Sequence, residues 1–255
     1  MAVTSLSVLL LGIDTATPAV TVALHDGTQV LAEATSVDKH RHAELLAPAI
    51  EQVLADAGAA RGDLTAIAVG VGPGPFTGLR VGVVTARVLG AALGIPVHGV
   101  CSLDVIAADV AAPRFLVATD ARRREVYWAR YDETGRYSGP QVNAPGDIDD
   151  RASMPAFGDG ASLYEEFFPV AKGPRYPAAT TLCRMVAAEL RGDFPEGVAR
   201  RQVLLPPEPL YLRRPDAREP GAPKRVTESR ASLDGQGRGP EQSGQAGPRP
   251  AGARP

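Results

Sequence analysis

Three sets of residues in this 255-residue chain have types and spacings that could do chemistry. The first is the run Gly72-Pro73-Gly74-Pro75-Phe76-Thr77-Gly78, which leads into an apolar helical pattern ending near Leu93. A glycine-rich turn that opens a helix is the usual backbone arrangement for holding phosphate. Here the details run against it. A P-loop needs a lysine that reaches the phosphates, and no lysine stands between Lys39 and Lys172. Gly72, Gly74 and Gly78 are spaced one residue too widely for the dinucleotide fingerprint. Pro73 and Pro75 each remove a backbone N–H, the donor that a phosphate would use. The run is expected to be a rigid lead-in, with Thr77 capping a helix that starts at Gly78. Arg80, a cation in the first turn, opposes the helix dipole. It is expected to find a local partner or solvent rather than an anionic ligand.

The second set is Asp14 and Asp120, each at the end of an apolar run. Asp14 is followed by Thr15-Ala16-Thr17, without the glycine that lets a backbone approach phosphate. Asp14, Asp120, Gly72 and Gly74 are therefore weak nucleotide candidates, and capping of turns by the two aspartates is the plainer expectation. The third set is the polar clusters. In His40-Arg41-His42-Ala43-Glu44 the two histidines are two apart, whereas a helical ligand pair needs i, i+4. A polar helix start is expected there, not a metal site. His25 and His98 read as structural. Cys101-Ser102 lacks any nucleophile motif, and G-x-S-x-G is absent, which speaks against a hydrolase. Arg122-Arg123-Arg124 is either a solvated hairpin turn, the preferred reading, or a contact for nucleic-acid phosphates.

The elements that must position these residues are legible from pattern. The chain is 44% hydrophobic with a formal net charge of -2, so it has a sizeable core and no general pull toward nucleic acid. Two cysteines far apart suit a reducing cytoplasm. The apolar N-terminus lacks a basic flank and reads as a buried strand, not a signal peptide, and no segment is expected to span a membrane. Val8–Asp14 reads as a central strand, and Asp26-Gly27 as a hairpin turn. His42–Gly58 and Thr77–Leu93 read as helices, the first bent or displaced by Pro48. Gly82, Ala86, Gly90 and Ala91 leave one face of the second helix thin, able to approach another backbone within the chain or across an interface. From about residue 214 the composition turns to Pro, Gly, Arg, Ser and Gln, which is expected to be disordered. A repeat runs through the rest. At one constant offset Asp14 falls on Asp120, Thr21 on Tyr127 and Asp26 on Asp132, and each copy is strand, Asp, turn, strand, acidic turn. This predicts two similar α/β lobes, each a mixed sheet flanked by helices, as in the actin-like, RNase H-like fold of sugar kinases. The expected boundaries are 1–112, 113–213 and a tail from 214 to 255.

The stretches "GIDTATPAVTVAL", "HAELLAPAIEQVL", "VGVGPGPFTGLRVGVVTARVLG", "IPVHGVCSLDVIA", "DARRREVYWARY" and "EPLYLR" together resemble the TsaB family. The resemblance runs from Gly12 to Arg213 and leaves the tail uncovered. It implies an actin-like fold and a role in forming threonylcarbamoyladenosine in tRNA. It implies a direct partner, the TsaD transferase, with the TsaE ATPase joining and tRNA met only indirectly. It also implies a homodimer when the chain is alone. Where TsaD is expected to carry two metal-binding histidines, this chain has Ser102 and Ile106, and Ile106 cannot bind a metal. The resemblance thus implies a non-catalytic subunit with no cofactor of its own, ATP with Mg²⁺ binding at most weakly or at a subunit boundary. The expected partner surface is His42, Glu44, Leu45, Leu46 and Ala49 on the first helix, with Arg80, Gly82, Val83, Ala86 and Arg87 on the second. The competing expectations are a stand-alone actin-fold ATPase or kinase, and a metalloprotease.

Overall fold

Strands β1 (Leu10–Asp14) and β2 (Ala19–His25) are buried along their whole length, as continuous apolar runs should be. They lie in the middle of a five-stranded sheet in a computed structural model that describes residues 8–192 and 203–213. Its other strands are β3 (Val30–Val37), β4 (Ala66–Gly70) and β5 (Val97–Val100), in the order β3-β2-β1-β4-β5. β1 pairs antiparallel with β2 and parallel with β4, so the sheet is mixed. Helices α1 (His42–Asp56) and α2 (Phe76–Leu93) cover one face. There Leu11, Ile13 and Val69 meet Leu46, Val53, Leu79 and Val83. Alternation sends Leu10 and Ala68 to the other face, where Leu182, Cys183 and Val186 of α5 (Ala179–Arg191) pack on them. Gly12 permits that approach, since a Cβ there would lie 2.5 Å from Cys183 Sγ and 2.8 Å from the Ala179 carbonyl oxygen.

A second sheet has the order β8-β7-β6-β9. It comprises β6 (Arg114–Asp120), β7 (Val126–Asp132), β8 (Gly135–Asn143) and the short β9 (Ala156–Phe157). Helices α3 (Ser102–Ala107) and α4 (Asp159–Leu163) flank it. The two mixed sheets with flanking helices give the actin-like, RNase H-like fold that the repeat implied.

The repeat holds at the level of single hydrogen bonds. Asp14 Oδ1 accepts the Ala16 amide at 2.8 Å, and Asp120 Oδ1 accepts the Arg122 amide at 2.8 Å. Asp26 Oδ1 accepts the Thr28 amide and hydroxyl, and Asp132 Oδ1 accepts the Thr134 amide and hydroxyl. The turns differ in length: Asp14 pairs with Thr21, whereas Asp120 pairs with Val126, so the second turn is one residue tighter.

Several expectations need adjusting. α5 follows the second sheet in sequence yet lies on the first, and the described residues all belong to one compact unit. α1 runs through Pro48, which is exposed on its outer side. α2 begins at Phe76 with Pro75 as its N-cap and no side-chain cap, so Thr77 lies inside the helix. At 18 residues and a mean hydropathy of 1.4, α2 is also long and apolar enough to cross a membrane, contrary to expectation. Its inner face is taken up by the first sheet. The tail from residue 214 lies outside the described residues.

Candidate functional site

Asp14 ends β1 fully buried. Its Oδ2 accepts a 2.6 Å hydrogen bond from Ser102 Oγ at the start of α3. Ser102 Oγ in turn accepts the Gly72 amide at 3.1 Å, and the Ser102 amide donates to the Gly72 carbonyl at 2.8 Å. Gly70 makes room for this carboxylate, because a Cβ there would fall 1.7 Å from Asp14 Oδ2. Desolvation by burial pushes the Asp14 carboxyl up to about 6, against the opposing pull of these hydrogen bonds. Asp14 is thus a strut between β1, the glycine run and α3.

The glycines of the run serve chain-to-chain contact. A Cβ at Gly74 would lie 2.3 Å from the Ala16 carbonyl oxygen, and one at Gly78 would lie 2.9 Å from that of Thr15. Thr15 Oγ1 donates to the Gly78 carbonyl at 2.8 Å and accepts the Gly82 amide at 2.9 Å. His42 Nε2 sits 2.7 Å from the Thr17 carbonyl oxygen. The space that a glycine loop keeps for phosphate is filled by the turn between β1 and β2.

Beside this turn lies a cleft of about 370 Å³. Thr15 and Thr17 from the first aspartate turn and Arg122 from the second line it, together with Lys39, His40, His42 and Gly78. The two turns do share a cleft. Among the described residues neither aspartate lines it, and no other carboxylate does. Asp120 holds the Arg122 amide, and its Oδ2 is 3.9 Å from the Arg122 guanidinium. The Asp120 amide donates to Asp159 Oδ1 at 3.3 Å, and burial pushes Asp159 up to about 6. Among the described residues no group of three His, Cys, Asp or Glu side chains could hold a metal. Ser102 is buried against Asp14, and Ile106 lies in the core. Cys101 is buried, and burial pushes its thiol up to about 12, so it is no nucleophile.

The expected partner surface divides. Leu46, Gly82, Val83 and Ala86 face the first sheet and are buried within the chain, and His42 is held under Thr17. The first four are enclosed by the chain itself, whereas His42 also lines the cleft beside the β1–β2 turn. The thin face of α2 serves intrachain packing: a Cβ at Gly82 would lie 2.4 Å from Thr15 Oγ1, and one at Gly90 would lie 2.3 Å from Val97 Cγ2. Glu44, Arg80 and Arg87 are exposed, and Leu45 and Ala49 half-buried. Arg80 has a local partner, as the plainer expectation held. Its Nε donates to Tyr211 Oη at 3.0 Å, and its guanidinium lies 4.2 Å from the centroid of the Phe76 ring. The sequence reading missed the opposite face of α2. Val84 and Val88 are 53% and 62% exposed and border an apolar groove against α1, with Ala47, Ile50, Leu89 and Ala92. Their i, i+4 spacing was the available signal, masked because α2 is apolar on nearly every side.

Residues 203–213 form a strap. Gly99 and Leu205 exchange backbone hydrogen bonds at 2.9 and 2.8 Å, and the Leu210 amide donates to the Val71 carbonyl at 2.8 Å. Arg213 then reaches the second sheet, donating to the Ala121 carbonyl at 3.1 Å and pairing with Glu125.

Comparison with known proteins fits this arrangement. The family model described as "TsaD: tRNA N6-adenosine threonylcarbamoyltransferase" matches residues 29–165, more than half of the chain. An uncharacterised protein of Mycobacterium tuberculosis is 46% identical over 213 residues, covering 82% of this chain and 93% of that protein. The tRNA threonylcarbamoyladenosine biosynthesis protein TsaB of Escherichia coli is 38% identical over 148 residues, covering 53% of this chain and 61% of that protein. The solved structure of YeaZ from Pseudomonas aeruginosa superposes with a TM-score of 0.64 at 28% identity, covering 80% of this chain and 100% of that one. This chain belongs to the TsaD family as a TsaB-type member.

Proposed function

We propose that this protein is a non-catalytic partner of a TsaD-type transferase, required for threonylcarbamoyladenosine formation at the tRNA adenosine next to the anticodon. Relatives named as TsaB biosynthesis proteins support the pathway. The observation that carries the non-catalytic part is the cleft. Transfer chemistry needs a base, a metal or an oriented nucleophile at the reacting atom. Among the described residues this cleft offers Lys39, His40, His42 and Arg122 but no carboxylate to orient or activate an imidazole, His42 Nε2 is taken up by the Thr17 carbonyl, and Asp14 is buried against Ser102.

The groove between α1 and α2 supports direct pairing with the transferase. The same groove would join two copies when the partner is missing, and a TsaE-type ATPase would join the pair. The protein works in the cytoplasm, in keeping with two free, buried cysteines. It has no cofactor of its own.

The test is reconstitution of threonylcarbamoyl transfer to unmodified tRNA from purified components. Transfer is expected only when this chain and the transferase are both present. Transfer by this chain alone would overturn the reading. Calorimetry with ATP and Mg²⁺ addresses the rival enzyme: binding by the isolated chain that is lost in Asp14→Asn would favour a stand-alone ATPase.

A further inference from the structure

Side chains alternate along β6 and β7. Phe115, Val117, Ala129 and Tyr131 pack with Leu103 and Ile106 of α3. Leu116, Ala118 and Trp128 turn the other way and pack with Ile148, Met154 and Phe168. Arg114 and Arg130 share this second face, with Arg130 opposite Leu116 in the ladder. A half-buried guanidinium among apolar neighbours has lost much of its hydration and needs partners in its place. Arg130 has few. Its Nη2 donates to the Asp149 carbonyl, and its guanidinium lies 5.0 Å from the centroid of the Trp128 ring. Among the described residues its Nε is buried without an acceptor, and no carboxylate forms an ion pair with it. A buried N–H left without an acceptor is a standing cost.

A pocket of about 220 Å³ opens at this place, lined by Arg114, Arg130, Tyr137, Asp150, Ser153 and Met154. Arg114 Nη2 donates to Tyr137 Oη at 3.2 Å, and among the described residues Arg114 too forms no ion pair. The turn that carries Asp150 is fixed through its carbonyl, which accepts the Ser153 hydroxyl at 2.7 Å and the Ser153 amide at 3.0 Å. Two guanidiniums and one carboxylate leave the described walls with one positive charge. A single net charge suits a monoanion. Phosphate carries nearly two negative charges at neutral pH, and the second would stand against Asp150. The planar fork of a guanidinium also matches a carboxylate. The pocket is smaller than those that take drug-sized ligands. The rest of the ligand is therefore a short chain, for which Met154 and the Tyr137 ring supply an apolar wall.

We propose that this pocket binds a small organic acid, with its carboxylate held between Arg130 and Arg114 and its short carbon chain against Met154. The site goes beyond the partner role proposed above. It shares no residue with the cleft beside the β1–β2 turn or with the groove between α1 and α2.

The test uses the full-length chain labelled with nitrogen-15 and L-lactate as the probe. Nuclear magnetic resonance follows the arginine Nε–H groups and the backbone amides. Lactate should move the amides of Ser153 and Met154 and one Nε–H signal saturably, with a dissociation constant below about 5 mM. Arg114→Gln should weaken binding about tenfold, the loss of one charged hydrogen bond. Asp150→Asn should tighten it about threefold, because the acid in the pocket is gone. Both positions are exposed, so both variants should melt as the wild type does. Arg130→Gln should abolish binding together with the moving Nε–H signal. The two exposed variants decide the matter even where Arg130→Gln does not fold. No saturable shift up to about 50 mM lactate would overturn the proposal. So would lactate affinity unchanged in Arg114→Gln, or inorganic phosphate bound as tightly as lactate.

Discussion

Among the described residues Asp14, a fully buried acid, has no cationic partner. Its carboxyl, raised from 3.8 to about 6, binds a proton more readily folded than unfolded. The stability tied to this proton is fully present below about pH 4 and is lost as pH rises through 6. Asp14→Asn keeps the acceptor for the Ala16 amide and removes the buried charge. Thermal melts should show it more stable than the wild type at pH 7 to 8, by up to about 3 kcal/mol, with the gap closing near pH 4. Asp159, raised for the same reason, will leave some pH dependence behind. Gly82 belongs to this scale too. Gly82→Ala should destabilise the isolated chain by about 1–3 kcal/mol, read as a lower melting temperature, because the new methyl would strike Thr15 Oγ1. The sequence allowed the correct sense of Asp14, that of a turn-capping acid, from the missing glycine after it. It could not reveal the bond to Ser102, which joins residues 88 positions apart.

At the level of elements, α2 carries two different messages on its two sides. Gly78, Gly82, Ala86 and Gly90 let it sink onto the sheet, and Val84 and Val88 remain outside. From sequence the small residues suited close approach to a backbone within the chain or across an interface, and the family resemblance placed Gly82 and Ala86 on the partner surface. Which backbone comes close depends on the β1–β2 turn, and its position is set by sheet order, a long-range property. Val84→Asp/Val88→Asp changes only exposed positions, so melting should move by no more than about 0.5 kcal/mol. Co-purification with the transferase, and self-association of the chain alone, should both be lost. Intact pairing would move the interface off this groove. The sheet strands were far more legible than the helix faces. β1 and the hairpin turn at Asp26 announce themselves through a short apolar run and a turn dipeptide, both local signals.

For the whole molecule, the duplication was readable because it is written in aspartates at a constant offset, and those aspartates perform the same local task in both copies. The packing of α5 onto the first sheet was not readable, since it depends on the chain returning after a complete second sheet. The strap depends on Arg213 and Glu125, which are both partly buried. A double-mutant cycle of Arg213→Ala and Glu125→Ala should give a coupling of about 1 kcal/mol, larger than the usual surface pair. A coupling near zero would mean that the strap is held by its backbone hydrogen bonds and the Arg80–Tyr211 contact without this ion pair.

The strap also bears on motion. The sheets are joined through the chain between β5 and β6, again where it returns from α4 to α5 on the first sheet, and a third time where residues 205–213 run from Gly99 to Ala121. A jaw fastened at both its hinge and its lip does not swing. Whatever enters the cleft meets walls already at their final separation, so its binding should need no closing step. The amides of Gly99, Leu205 and Leu210 should then exchange with solvent as slowly as those of β1, whether or not the cleft is filled.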